Sequence, residues 1–338
     1  MAEPSESFWE DRNVFITGIS GFMGSHLSEK LAGMGANVFG LLRRHAVPYY
    51  PNISHLRGKV KLIEGNVIDM PSILSALKES EASIVFHLAA QSYVPLSFQA
   101  PYDTYKTNIM GTANVLEALR HYDGVEKMQF AGSSEEYGLA YENELPIKET
   151  NPLRPLSPYA ASKVAGDYMC YTHFKCYKLP IVRTRAFNHT GPRRGLHFVT
   201  SIIARQVARG IKFKEKRLVM GNPDPKRDFS DVRDILRGYM LASERGKPGE
   251  VYNLGSGKSR SIGEVAKMAI EIGGLEGKMA VETDKSRYRA SEVMVLQCDY
   301  SKAKKELGWE PKIPFEKTMK DLIDYFLENE SLLNIEEY

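Results

Sequence analysis

An apolar run, Val14-Phe15-Ile16, passes directly into Thr17-Gly18-Ile19-Ser20-Gly21-Phe22-Met23-Gly24, and helical apolar spacing continues to Met34. Glycines in a G-x-x-G-x-x-G register, with a strand before and a helix after, constrain the chain more than any other feature. Lacking Cβ atoms, they permit a tight turn and let backbone N–H groups and a helix N-terminus approach a pyrophosphate closely, where the helix dipole favours negative charge. A glycine turn alone can be merely structural; its flanks make this one a dinucleotide site. Gly18, Gly21, Phe22, Met23 and Gly24 are its candidate contacts.

Downstream, short β-branched runs alternate with helical patterns, the mark of a parallel sheet with helices on both faces. Residues 37–42, 60–63, 84–88, 128–131 and 180–183 continue the strand series. Apolar spacing predicts helices at Met23–Met34, Ser72–Lys78, Thr104–His121 and Tyr159–Tyr177. The fold class is therefore α/β, a doubly wound parallel sheet of Rossmann type.

After Ala186 the rhythm breaks into proline- and glycine-containing loops with helices near 200–208 and 232–244, and Glu250-Val251-Tyr252-Asn253-Leu254 reads as one more sheet strand. A smaller substrate lobe is thus interleaved with the first domain. The expected division is 8–187 and 229–254 for the dinucleotide-binding domain, with 188–228 and 255–330 for the lobe.

The 338 residues suffice for one large α/β domain and an appended lobe without disulfides. Cys170, Cys176 and Cys298 read as free thiols of a reducing compartment. A net charge of +3 calls for no nucleic-acid partner. The polar first ten residues and the lack of ~18 uninterrupted apolar residues predict a cytoplasmic chain with no membrane partner. Eight scattered histidines show no metal-ligand spacing, so no metal is expected.

Cofactor choice turns on the end of the second strand. An acidic residue there would bind the adenosine ribose, whereas a basic one accommodates a 2′-phosphate. The strand ends Leu42-Arg43-Arg44, and the planar guanidinium suits phosphate oxygens, so NADP is favoured with NAD still possible. Solvated strand-end charge is the plainer reading of Arg43 and Arg44. Asp69, after the third strand, is placed either to accept from the adenine amine or to cap the helix ahead of Pro71.

Tyr159 and Lys163 stand four residues apart on one helical face. An ammonium beside a phenol is expected to lower the tyrosine pKa towards exchange with a sugar hydroxyl. Ser133 and Ser134 follow the fifth strand at the carboxyl edge, where a doubly wound sheet holds its ligands. Ser133, Tyr159 and Lys163 then form a working set.

With these motifs the chain resembles the extended short-chain dehydrogenase/reductase superfamily, in its nucleotide-sugar branch, over almost its whole length. The matching segments are TGISGFMG (17–24), HLAAQS (87–92), the helix with Asn108, SSEEYG (133–138) and SPYAASK (157–163). RAFNHTGPRRG (185–195), KRDF (226–229) and YRASEV (288–293) narrow the resemblance to the GDP-mannose 4,6-dehydratases and their partners, the GDP-4-keto-6-deoxymannose reductases.

The resemblance implies Ser133, Glu135, Tyr159 and Lys163 as catalytic residues: a hydroxyl at O4, a C5 base, a C4-hydroxyl base and a cation on the nicotinamide ribose. It adds Val67, Leu88, Ala89, Ala90 and Asn108 to the cofactor contacts. On the substrate side it implies Ser134, Asn188, Val199, Arg227, Arg289 and Glu292, with Arg193 and Arg194 on phosphates. A GDP-sugar substrate and a homodimer or homotetramer are implied likewise. The dehydratase is the first reading. Glu136, where that family more often carries an apolar residue, keeps the reductase open, along with another nucleotide-sugar dehydratase or epimerase and a non-catalytic dinucleotide-binding regulator.

Overall fold

The computed structural model describes residues 2–43, 49–288 and 293–335. Its strands are β1 (Asn13–Thr17), β2 (Asn37–Leu42), β3 (Lys61–Glu64), β4 (Ile84–His87), β5 (Lys127–Ser133), β6 (Ile181–Ala186), β7 (Asn188–Thr190), β8 (Arg217–Met220), β9 (Lys226–Asp231), β10 (Val251–Leu254), β11 (Ser259–Ser261) and β12 (Ala280–Thr283).

Seven of them form one parallel sheet in the order β10-β6-β5-β4-β1-β2-β3. The period-2 alternation of a strand sends neighbouring side chains to opposite faces. In β1, Val14 and Ile16 pack with Trp9, Leu27 and Tyr239 on one face, while Phe15 packs with Leu77, Val85 and Leu116 on the other. Burial on both faces explains why these strands read as unbroken apolar runs. The winding reverses between β1 and β4, opening a crevice at their carboxyl ends.

The lobe has its own core, in which Ile203, Val207, Val265, Ala269, Met319 and Phe326 from the helices Val199–Phe213, Ile262–Ile272 and Phe315–Glu328 meet Leu218 and Phe229. Around it β9 pairs with β7 and β11, and β8 with β12. Ala303, Leu307 and Trp309 pack into the first core instead, with Trp309 Nε1 donating to the Asp234 carbonyl at 2.8 Å. The stretch 301–309 thus packs on the dinucleotide side of the expected division.

The expected single helix Thr104–His121 is interrupted. Helices Pro101–Tyr105 and Gly111–Arg120 are joined by a π turn, Lys106–Met110, with one extra residue per hydrogen-bonded ring. This turn carries Asn108.

Candidate active site

A cleft of 1620 Å³ runs along the crevice between sheet and lobe. At one end lies the glycine loop. Gly18 has φ +76°, and a Cβ there would stand 2.9 Å from the Ala89 backbone. A Cβ on Gly24 would stand 2.3 Å from the Gly18 carbonyl oxygen. No side chain caps the helix Phe22–Gly33, and Gly21, Phe22, Met23 and Gly24 all line the cleft. Uncapped first-turn N–H groups facing a cleft suit a diphosphate. On this ground the residues fit a dinucleotide.

Arg43, Val67, Leu88, Ala89 and Ala90 extend the same wall. Arg44 lies outside the described residues, as do Arg289 and Glu292 of the substrate set. Asp69 takes the capping half of its two readings: its Oδ2 accepts the backbone N–H of Ser72 at 3.2 Å. Ile68 and Val67 line the cleft beside it. Asn108 stands behind the wall rather than on it. Its Oδ1 accepts from Gln91 N at 2.8 Å, and its Nδ2 donates to the Gln91 carbonyl and to Ser162 Oγ, both at 2.9 Å. Its amide is occupied by protein, so it braces the cleft wall formed by Leu88–Gln91.

Ser133, Ser134, Glu135, Tyr159 and Lys163 meet in the middle of the cleft. β5 delivers the serines at its carboxyl end. The helix Pro158–Tyr177, capped by Ser157 Oγ on Ala160 N at 3.0 Å, delivers the phenol and the ammonium one turn apart. Ser133 lies close enough to the Tyr159 phenol to favour its ionised form.

The electrostatics correct one expectation. Burial pushes the Tyr159 phenol up to about 12, opposed by Ser133 and by Arg194, not by Lys163. Lys163 Nζ instead donates to the Ala131 carbonyl at 2.8 Å, and burial lowers its ammonium to about 8. Desolvation outweighs the charge–charge attraction in the protein alone.

On the substrate side Asn188, Val199 and Arg227 line the cleft, and Asn188 Oδ1 is buried without a protein partner. Arg227 is held by a 2.5 Å bond to the Val293 carbonyl. A belt of aromatic rings with one guanidinium also lines the cleft. Tyr93 and His197 have ring centroids 4.4 Å apart, His197 and Phe198 4.5 Å, and the Arg194 guanidinium lies 3.5 Å from the Phe198 centroid and 4.9 Å from that of Phe22. Lone aromatics have no motif; only the paired arginines of 185–195 hinted at it.

Residues 15–322 match the family model for GDP-mannose 4,6 dehydratase. The chain belongs to that family. GDP-mannose 4,6 dehydratase 1 of Arabidopsis thaliana is 35% identical over 325 residues, covering 93% of this chain and 89% of that protein. The Homo sapiens GDP-mannose 4,6 dehydratase is 32% identical, covering 92% and 91%. Among solved structures, RMD from Pseudomonas aeruginosa complexed with NADPH matches with TM-score 0.80 and 29% identity, over 94% of this chain and 99% of that one. A UDP-glucose 4-epimerase from Thermotoga maritima with UDP-glucose matches with TM-score 0.84 and 29% identity, with the same coverage. Within the GDP-mannose 4,6 dehydratase family, then, this chain is a short-chain dehydrogenase/reductase-type enzyme for a nucleotide sugar with a nicotinamide dinucleotide.

Proposed function

We propose that this chain converts GDP-mannose to GDP-4-keto-6-deoxymannose, with NADP as resident cofactor. The observation that carries the reading is the meeting of Ser133, Glu135 and Tyr159 on one wall of a cleft whose far end is the uncapped glycine loop. The relatives named for this activity, at 31% to 35% identity over most of the chain, support the substrate.

When bound, the nicotinamide supplies a hydride acceptor for C4 and the same hydride, later, for C6. Tyr159 takes the O4 proton while Ser133 donates a hydrogen bond to that oxygen. The resulting ketone acidifies C5, and the Glu135 carboxylate removes its proton as the 6-hydroxyl departs. Of the two protons taken, from O4 and C5, one leaves with the 6-hydroxyl as water and one returns to C5. The cofactor ends as it began. Arg194 adds positive charge near Tyr159, offsetting part of the burial that holds its proton in place, while Lys163 Nζ is anchored on the Ala131 carbonyl.

NADP over NAD is supported by Arg43 in the cleft and by the NADPH-bound neighbour. That same neighbour favours the second reading, reduction of the 4-keto sugar. No described helix is long and apolar enough to cross a membrane, and a cytoplasmic enzyme is part of the proposal. So is a homodimer or homotetramer, supported by exposed Tyr102, Met110 and Tyr168 on neighbouring helices.

The test is purified enzyme with GDP-mannose and catalytic NADP⁺. A dehydratase accumulates the 4-keto-6-deoxy sugar with no net cofactor reduction. No product from GDP-mannose, with stoichiometric NADPH consumption on the keto sugar, would establish the reductase instead.

A further inference from the structure

Glu135 and Glu136 are neighbours that face opposite ways. Glu135 lines the cleft, whereas Glu136 has no exposed surface. Glu136 Oε1 accepts the backbone N–H of Ser133 at 2.7 Å, and its Oε2 lies 2.9 Å from Arg185 Nε. The turn Ser134–Glu136 closes reciprocally, because Ser133 Oγ accepts the backbone N–H of Glu135 at 3.2 Å in a capping box with Glu136. A serine hydroxyl has one proton and two lone pairs. With backbone N–H groups on its acceptor side, Ser133 keeps its one proton for a partner outside the turn, on the cleft side that Tyr159 also lines.

Gly132 makes room for this arrangement: a Cβ there would stand 2.6 Å from Glu136 Oε1. Nor does Arg185 need Glu136 for its own satisfaction. It donates to both carboxylate oxygens of Asp167, at 3.1 and 3.2 Å, and to the Tyr137 hydroxyl at 3.1 Å. Burying a carboxyl group is expensive, and an apolar side chain would fill the same volume at less cost.

We propose that Glu136 is a positioning residue that, by holding the Ser133 backbone N–H, fixes Ser133 Oγ as a donor towards the sugar oxygen that Tyr159 deprotonates. The inference rests on the C4 chemistry proposed above.

The test is a cycle of variants read by single-turnover formation of enzyme-bound NADPH from GDP-mannose and NADP⁺. Glu136→Leu removes the acceptor and is expected to slow this step roughly 10- to 100-fold with KM for GDP-mannose unchanged. Glu136→Gln keeps an acceptor oxygen and should stay within about threefold of wild type. In a Ser133→Ala background Glu136→Leu should add less than about threefold, since the two act as one unit. An equal loss in both backgrounds, or a Leu variant as fast as wild type, overturns the proposal. Should the Leu variant not fold, Glu136→Asp takes its place: it keeps the carboxyl group but falls a methylene short of Ser133, so it should be slow while Gln is fast, and an Asp variant at wild-type rate overturns the idea equally. A wild-type chain inert towards GDP-mannose would instead contradict the substrate reading. The same cycle is then run on reduction of GDP-4-keto-6-deoxymannose by NADPH, where Ser133 and Tyr159 serve the same oxygen.

Discussion

Asn108 Nδ2 donates to Ser162 Oγ at 2.9 Å, joining the π turn to the helix that carries Tyr159 and Lys163. Ser162 Oγ itself donates to the Tyr159 carbonyl at 2.7 Å, and Asn108 also holds both backbone groups of Gln91. One amide therefore links the cofactor wall to the catalytic helix.

Asn108→Ala leaves buried donors and acceptors unpaired. It should destabilise the fold by about 1–3 kcal/mol. Urea unfolding followed by circular dichroism checks this, and turnover should fall further than stability alone accounts for.

His87 lies beneath the site, bonded to Thr17 Oγ1 at 2.8 Å and Thr112 Oγ1 at 3.0 Å, and burial lowers its pKa from 6.5 to about 3. Below pH 6.5 the unfolded chain binds this proton and the folded one does not. The stability it contributes is therefore present above pH 6.5 and is lost as pH falls towards 3. Wild type should lose stability relative to His87→Gln across that window, by on the order of several kcal/mol in total. Parallel unfolding curves for the two proteins between pH 6.5 and 4 would contradict this.

Glu135→Gln should leave C4 oxidation in place and abolish elimination. Absorbance of enzyme-bound NADPH should then accumulate after GDP-mannose is added, with deoxy-sugar formation down roughly 100-fold or more. Normal product formation by this variant removes Glu135 from its role.

Arg43→Ala should weaken NADP⁺ and spare NAD⁺. Loss of a charge-assisted contact predicts an affinity for NADP⁺ about tenfold lower, or more, by calorimetry. Equal effects on both dinucleotides would make Arg43 a solvated strand-end charge.

Much of this site is local in sequence and was legible there. The glycine register, the Tyr159–Lys163 spacing and the serines after β5 depend only on neighbours in the chain, and they line one cleft. What was not legible depends on distant partners. The helix period hid the π turn, because one inserted residue barely disturbs an apolar pattern, and so the inward turn of Asn108 went unseen. The direction of the Tyr159 shift was misread because burial is a tertiary property. The Tyr93–His197–Phe198–Arg194 belt joins residues a hundred positions apart that carry no shared motif. The Asp69 bond to Ser72 N depends on how the chain turns after β3, which its neighbours in sequence do not fix.

In the proposed reaction one hydride leaves C4 and returns to C6 within a single site. GDP-mannose deuterated at C4, turned over with unlabelled NADP⁺ and analysed by NMR, measures it directly. Deuterium is expected at C6 of the 4-keto-6-deoxy product, with none released to the free cofactor pool. Product carrying only protium at C6, or label recovered in free NADPH, would contradict it.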